Sequence, residues 1–296
     1  MSLIDQLPKV RGVYRENAKI QNWFDVGGNA QILFRPADID DLCYFLKNRP
    51  KDLPITVLGA ASNVIIKDSG VAGVVIKFGA EFAQVKQIDE TTISAGAGCL
   101  CANVALQSKE LAIGGMEFFS GIPGAIGGAI AMNAGCYGSE IANILVATTA
   151  IDYDGNIVEL TNAECAFAYR KNSLAGKYIF VAAQLRGVKS TSAAIAQNIL
   201  QLKQQREQAQ PIRAKTGGST FKNPKDTDKK AWQLIDEAGC RGLMVGDAQM
   251  SEKHCNFMIN TNKANAQDLI DLANLVRSKV KEKSAIDLEL EIKIIG

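Results

Sequence analysis

The sequence predicts mixed α and β structure in more than one domain. Three observations carry that expectation. At 296 residues the chain has length for about two domains and room for a third. Short β-like runs fill its first half, with few helices long enough to cross between parallel strands. Beyond residue 190 the pattern changes to long amphipathic helices and one closing run of strict alternation.

Each element follows from local pattern. Asp38 to Arg49 reads as a helix capped by Asp38, because Ile39, Leu42, Cys43 and Leu46 recur at i, i+3, i+4 and i+7. Strands are expected at Ile55–Leu58, Val64–Ile66, Val74–Ile76 and Thr91–Ser94. Ala147–Tyr153 and Ile157–Leu160 face each other across Asp154-Gly155, a favoured hairpin turn, and Tyr178–Ala182 adds a further strand. Ser190–Gln210 is a long helix with Ile195, Ile199 and Leu202 inward and Pro211 at its end, and a domain boundary is placed near it. Lys229–Ala238 is a helix with Gly239 just beyond it. Asn265–Lys283 is another, with Asn265 and Asp268 spaced as a capping box and Leu269, Leu272, Ala273, Val276 and Val280 as its inner stripe. Asp287–Ile295 is expected as the last strand, with Leu288, Leu290, Ile292 and Ile294 on one face.

Composition excludes several functions. Lys plus Arg is 33 and Asp plus Glu is 31, so a net charge of +2 argues against a nucleic-acid binder. The only histidine is His254, which argues against a poly-His metal site, and any Ser-His-Asp triad would have to use it. Seven cysteines without a Cys-x-x-Cys pair read as free thiols in a reducing cytoplasm, and no metal is expected. Asp5 and the absence of a continuous apolar run leave Met1–Gln6 without a signal-peptide pattern. The uncharged stretch 118–139 is diluted by six glycines and falls short of a membrane span.

Three glycine clusters remain as candidate sites. Gly59-Ala-Ala-Ser-Asn63 directly follows a strand; it reads either as a nest of N–H groups that binds an anion or as a plain strand-to-strand turn. Gly121-Ile-Pro-Gly124, Gly127-Gly128 and Asn133-Ala-Gly135 imply close backbone approach, either to a flat ligand or to a packed crossover. Two such loops beside β structure favour one long ligand lying across both, and an adenine dinucleotide such as FAD has that shape. Gly217-Gly-Ser219 presents a hydroxyl or is an ordinary turn. It lies in Lys203–Lys230, where eight cationic residues meet three acidic ones, either an anion-attracting patch or a solvated basic face. From pattern alone Arg170 is a surface arginine and Glu291 sits on the wet face of its strand.

Taken in order, Trp23–Ala30, Leu58–Asn63, Gly121–Gly128 with Asn133–Gly138, Tyr169-Arg170, Gly218–Pro224, Ser251–Phe257 and Leu290–Gly296 resemble the UDP-N-acetylenolpyruvoylglucosamine reductase family along nearly the whole chain. The chain departs from it at Ala61, where the family usually has glycine, and at Asn22, where threonine is common. It is similar to the shorter subclass, which lacks an extra substrate-covering insertion. The resemblance implies a three-part α+β enzyme: an FAD-binding module of the vanillyl-alcohol-oxidase-like type plus a C-terminal α+β substrate domain. It divides the chain into 1–82 joined by 285–296, then 83–199, then 200–284. It implies non-covalent FAD, NADPH as co-substrate, and reduction of UDP-N-acetylglucosamine enolpyruvate to UDP-N-acetylmuramate in peptidoglycan precursor synthesis. The implied catalytic residues are Arg170, Ser219 and Glu291, with Ser219 as proton donor, activated by its setting, for which Lys222 is a candidate. Implied FAD contacts are Gly28, Gly59, Ala60, Ala61, Ser62, Asn63, Ser120, Gly121, Ile122, Pro123, Gly124, Gly127 and Gly128. Implied substrate contacts are Tyr137, Tyr169, Lys222, Asn223 and His254. A flavin oxidase of the same wider fold is disfavoured, because such oxidases often tether FAD to a histidine and His254 lies outside the flavin half. A non-enzymatic flavin scaffold would leave Ser219 and Glu291 dispensable.

Overall fold

The computed structural model describes residues 2–296, which form two compact units, each assembled from three stretches of chain. Unit 1 holds the residues up to Ala18, Gln31–Ala60 and Gly73–Gln204. Unit 2 holds Lys19–Ala30, Ala61–Ala72 and Gln205–Gly296.

Unit 1 rests on two sheets. The first has four strands in the order Val13–Lys19, Asn29–Arg35, Val71–Lys77, Ile55–Leu58. Its last two strands run parallel, with Ile55 opposite Val74 and Leu58 opposite Lys77. The helix Ile39–Asn48 begins where the sequence places it, since the Asp38 side chain accepts from the Asp41 N–H. Its buried Leu42, Cys43, Phe45 and Leu46 share a core with Ile32, Phe34, Val74 and Ile76. The second sheet is antiparallel, in the order Ile157–Thr161, Leu145–Asp152, Tyr178–Arg186, Thr92–Gly96, Val85–Gln87. The Asp154-Gly155 hairpin is present: Ala147 lies opposite Thr161, Ile151 opposite Ile157, and Gly155 supplies φ +84°. A separate core forms behind this sheet from Ile93, Val104, Phe119, Ile126, Ile130, Leu185 and Ile195.

The uncharged stretch 118–139 is not one element. It breaks into a 3-10 turn at Glu117–Gly121, the helix Ile126–Met132 and a pairing of Gly135–Cys136 with Ser139–Glu140. Among the described residues no helix is long and apolar enough to cross a membrane. The helix Ser192–Ala209 carries the chain out of unit 1, with Ile195 and Ile199 buried and Leu202 half-buried.

Unit 2 packs the helices Ala231–Glu237 and Ala266–Ser284 on a three-stranded antiparallel sheet, Met244–Val245, Ala248–Met250 and Met258–Asn260. The capping box forms, and Leu269, Leu272, Ala273, Val276 and Val280 are all buried. Phe24, Val26 and Ile65, from far earlier in the sequence, complete this core. The closing strand is shorter than its alternation suggests. Only Lys293–Ile295 is a strand, paired parallel with Val64–Ile66. Leu288 and Ile292 still point inward, but the backbone before Lys293 bonds to a different partner: Lys222 N–H donates to Glu289 O at 2.9 Å and Glu291 N–H to Thr220 O at 2.8 Å. Side-chain alternation survives a change of neighbour; a continuous ladder does not.

One carboxylate ties an early loop to the longest helix. Asp68 accepts from the N–H groups of Ala266 (3.1 Å) and Gln267 (3.4 Å), two donors that the helix itself cannot satisfy. We expect Asp68→Ala to cost about 1 kcal/mol, lowering the thermal midpoint by roughly 4 °C for a unit of this size. Differential scanning calorimetry checks this.

Candidate functional site

In unit 1 the start of the first glycine loop, Gly59-Ala60, lies beside the second. A side chain at Gly59 would meet only Ala125 Cβ, at 3.4 Å. The glycines of the second loop divide into two kinds. Gly127 sits against its own protein, with Ala97 Cβ 3.0 Å from where its Cβ would stand. Gly121 is crowded by Tyr137 Cε2 at 2.9 Å and Cys136 Sγ at 3.0 Å. Gly128 is exposed and faces open space, with nothing within 4 Å. Ser120, at the entry of the loop, is 8% exposed, and its Oγ has no hydrogen-bond partner among the described residues. A buried hydroxyl left unpaired costs free energy, so its persistence points to a partner from outside the chain.

Tyr137, Tyr169 and Arg170 also belong to unit 1. Both Tyr137 and Arg170 have left-handed backbones, with φ +54° in each. Non-glycine residues adopt that region at a cost, and such residues cluster at functional positions. The strain is held by neighbours. Ala168 and Lys171 exchange backbone hydrogen bonds around Arg170, at 2.9 and 3.0 Å. Asn133, fully buried, donates to Ala168 O and accepts from Ala142 N–H. Asn172 donates to Ile130 O. The guanidinium is fixed too: Nη2 donates to Gly135 O at 2.9 Å, and Cζ lies 5.1 Å from the centre of the Tyr169 ring. The result is an exposed Tyr169 beside an arginine whose fork is pre-oriented.

Ser219, Glu291, Lys222, Asn223 and His254 belong to unit 2, together with Asn63 and Gly28. The Gly217-Gly218-Ser219 run has a distinct reason at each position. A side chain at Gly217 would strike the Phe24 ring at 2.4 Å, and Gly218 has φ +81°. Ser219, half-buried, then pairs with Phe257. The next residues run between two partners. Thr220 N–H donates to Asn256 O at 2.7 Å, and Phe221 lies opposite Leu290. Thr220 O accepts from both Glu291 N–H and Ile292 N–H. Asn63 holds Glu291 from the far side: its Nδ2 donates to Glu291 O at 3.0 Å, and its carbonyl accepts from Lys293 N–H at 3.1 Å. Ser219 and Glu291 therefore ride on adjacent, hydrogen-bonded segments.

Other residues singled out by the sequence have structural work here. Lys222 Nζ pairs with Glu289 Oε1 at 2.5 Å. Asn223 Oδ1 accepts from Ala231 N–H, the start of a helix. Gly28 is packed so that a side chain would lie 2.5 Å from Asp68 O, a close approach within the protein. Ala61 is buried at φ +51°, a conformation that glycine adopts without penalty. The cationic stretch 203–230 is partly neutralised by carboxylates outside it: Lys215 pairs with Asp25, Lys222 with Glu289 and Lys229 with Glu237. Its field is weaker than the local count suggests, because folding brings in acids that the sequence window omits.

His254 is half-buried, edge-on to Phe257 at 4.7 Å. Its Nδ1 accepts from Asn256 N–H at 3.3 Å, so the proton of the neutral ring sits on Nε2. Burial, with a further push from Arg241, holds its pKa below the usual 6.5. Asn133 and Asn256 lie inside the motifs Asn133–Gly138 and Ser251–Phe257, yet their sequence context assigns neither a role, because their partners Ala168, Ala142 and Phe221 are remote in the chain.

Comparison with known proteins adds independent findings. Residues 210–295 match the family described as UDP-N-acetylenolpyruvoylglucosamine reductase, C-terminal domain, and residues 30–161 match an FAD binding domain. The UDP-N-acetylenolpyruvoylglucosamine reductase of Rickettsia canadensis (strain McKiel) is 48% identical over 292 residues, covering 98% of each chain. That of Parvibaculum lavamentivorans is 47% identical over 297 residues, covering 100% of this chain and 95% of the relative. The crystal structure of UDP-N-acetylenolpyruvylglucosamine reductase from Thermus caldophilus aligns with a TM-score of 0.82 at 31% identity, over 97% of this chain and 100% of that one.

The part of these loops in unit 1 fits a flavin dinucleotide on its own geometry: an orphaned Ser120 hydroxyl, an open face at Gly128, and Gly59 brought beside Ala125. Two expectations follow. Gly128→Val should fold and lose FAD, whereas Gly127→Val, driven into Ala97, should lower stability by about 1–3 kcal/mol; flavin absorbance and thermal melts separate them. For His254, a folded pKa below the unfolded one means stability is fully present above about pH 6.5 and is lost as pH falls. The single imidazole NMR signal should titrate below 6.5, and His254→Phe should flatten the loss of stability that sets in as pH falls below 6.5.

Proposed function

The chain belongs to the UDP-N-acetylenolpyruvoylglucosamine reductase family, and on that premise we propose how its own residues divide the work. It is an FAD-dependent oxidoreductase that reduces the enolpyruvyl ether of UDP-N-acetylglucosamine to UDP-N-acetylmuramate in peptidoglycan precursor synthesis, with NADPH as reductant. Its fold is α+β, an FAD-binding part followed by the family's C-terminal domain.

FAD would be held by Gly59, Ala60, Ala61, Ser62 and Asn63 and by Ser120 to Gly124 with Gly128. The chemistry it supplies when bound is hydride transfer. The rest falls to side chains. Hydride arriving at C3 of the enolpyruvyl group drives negative charge through C2 onto the substrate carboxylate. Arg170 holds that carboxylate with a guanidinium already oriented by Gly135 O and the Tyr169 ring. Glu291 polarises the same carboxylate, which requires it to hold or share a proton at that stage. C2 then needs a proton, and Ser219 gives it from its hydroxyl. Lys222, engaged with Glu289, contributes field rather than a direct proton. Tyr137, Tyr169, Asn223 and His254 are proposed to line the substrate, and the cationic stretch 203–230 to attract its diphosphate.

The observation that carries this division is the register of unit 2, where Ser219 and Glu291 sit on hydrogen-bonded neighbours. A further proposal is that 1–82 with 285–296, 83–199 and 200–284 act as three parts; the two separate cores of unit 1 support the division between the first two, and the pairing of Lys293–Ile295 with Val64–Ile66 supports the return of the last strand to the first. Cysteine usage supports a cytoplasmic location.

Stopped-flow absorbance of the flavin separates the half-reactions. Ser219→Ala should keep FAD and be reduced by NADPH near the wild-type rate, while reoxidation by the enolpyruvyl substrate slows about 10²–10⁴-fold. Ser219→Cys should recover part of that loss. Glu291→Gln should likewise spare reduction and slow reoxidation. A Ser219→Ala variant that reoxidises normally, or that NADPH no longer reduces, would overturn the proton-donor role.

A further inference from the structure

The segment that carries Ser219 has an unusual fastening. Asn256 is 5% exposed, and its side chain makes both halves of a backbone-like pair with Phe221. Oδ1 accepts from Phe221 N–H at 3.0 Å, and Nδ2 donates to Phe221 O at 2.9 Å. The backbone of the same residue takes Thr220 N–H at 2.7 Å. One residue thus secures three of the four backbone polar groups of Thr220 and Phe221. Thr220 itself is fully buried, and its Oγ1 accepts from Met258 N–H at 3.1 Å. On its other edge, Thr220 O receives both Glu291 N–H and Ile292 N–H. Asn256 in turn is steadied by His254, whose Nδ1 accepts its N–H. Every link lies within unit 2.

We propose that Asn256 is a positioning residue for the protonation step: its buried amide fixes the backbone of Thr220 and Phe221, and through them the placement of Ser219 relative to Glu291. The inference rests on Ser219 as the proton donor. The physical argument is one of alternatives. Residues 219–222 have no continuous strand on either side, only isolated pairings with Phe257 and Leu290. Without the amide, Phe221 N–H and C=O are left unpaired in a buried setting, and the segment is free to shift to satisfy them. A hydroxyl is a weak acid and delivers its proton only from a fixed position. Displacement by about 1 Å is enough to cost a reacting group on the order of 10²-fold. The Asn256 amide bonds only to Phe221, and none of the residues proposed to hold FAD bonds to it, so reduction by NADPH is expected to be spared.

The test uses the FAD-loaded full chain with Asn256→Leu, which keeps volume and removes both bonds, and Asn256→Ser, a milder change that leaves a short polar side chain in place of the amide. Asn256→Leu should bind FAD and be reduced by NADPH within about two-fold of wild type. Its reoxidation by the enolpyruvyl substrate should slow at least ten-fold, with a larger solvent deuterium isotope effect, and Asn256→Ser should fall between. Amide hydrogen exchange over residues 217–224 should speed up in both variants, with or without FAD. The double variant with Ser219→Ala should reoxidise no more slowly than Ser219→Ala alone, because a misplaced donor and a missing one are the same defect. Wild-type reoxidation in Asn256→Leu overturns the proposal, as does a double variant slower by the product of the two single effects. Should Asn256→Leu fail to fold, normal reoxidation and isotope effect in Asn256→Ser overturn it. Failure of the Ser219 role shows separately, as normal reoxidation in Ser219→Ala alone.

Discussion

The parallel pairing of Lys293–Ile295 with Val64–Ile66 is the constraint on which the rest of unit 2 depends. It joins residues more than two hundred positions apart, and it is only three residues long. Short parallel pairs contribute little by themselves. This one is reinforced at both ends: Lys67 N–H donates to Ile295 O at 2.9 Å, and Asn63 brackets Glu291 and Lys293. A side chain at Gly27 would strike Ile66 O at 2.1 Å, so the chain on the other side closes down on the same strand. Once this pairing is set, the segment before it has nowhere to go but alongside residues 220–222. Glu291 is therefore placed by the closure of the fold and not by a strand of its own.

Where regular pairing stops, buried amides take over. Asn133 secures the turn that carries Arg170, Asn172 ties the next residue to the helix Ile126–Met132, and Asn256 clamps the segment after Ser219. Asn260 does the same for Phe24, donating to its carbonyl at 2.9 Å while accepting from Ala264 N–H. A side-chain amide carries one acceptor and two donors, so it can replace a missing backbone neighbour in both directions. Each of these is buried and satisfied, as a buried polar group must be if it is not to destabilise the fold. The two residues proposed to act on the substrate carboxylate and on C2, Arg170 and Ser219, both sit on segments held in this way. Irregular backbone leaves a side chain free of the flat geometry of a sheet, and the amides return the rigidity that irregularity removes.

Glycine and charge illustrate how one residue type serves opposite ends. Gly28, Gly127 and Gly217 are glycine because another part of the protein occupies the space a side chain would need. Gly128 is glycine with open space before it. The first kind stabilises the fold; the second is informative about a ligand. Likewise the lysines of residues 203–230 are not one field. Lys215, Lys222 and Lys229 each meet a carboxylate brought from elsewhere, which leaves fewer charges to act on an approaching anion.

The sequence by itself determined the elements that depend on local periodicity and local capping. The helix capped by Asp38, the Asp154-Gly155 hairpin and the inner stripe of the helix Ala266–Ser284 follow from neighbours within a few positions. It also determined that Ser219 follows two glycines and that two glycine loops flank β structure, which is why the ordered motifs resemble one family. It did not reveal the strands Val13–Lys19 and Asn29–Arg35, whose alternation is broken by charged and small residues. Nor did it distinguish a packing glycine such as Gly28 from an open one such as Gly128. Only the tertiary structure decided that Glu291 lies outside the last strand, that Lys222 is paired, and that Asn256 fastens the segment of Ser219. The reason is physical: periodicity and capping act over one or two turns of chain, whereas these outcomes rest on partners thirty to more than two hundred residues away, which no local pattern encodes.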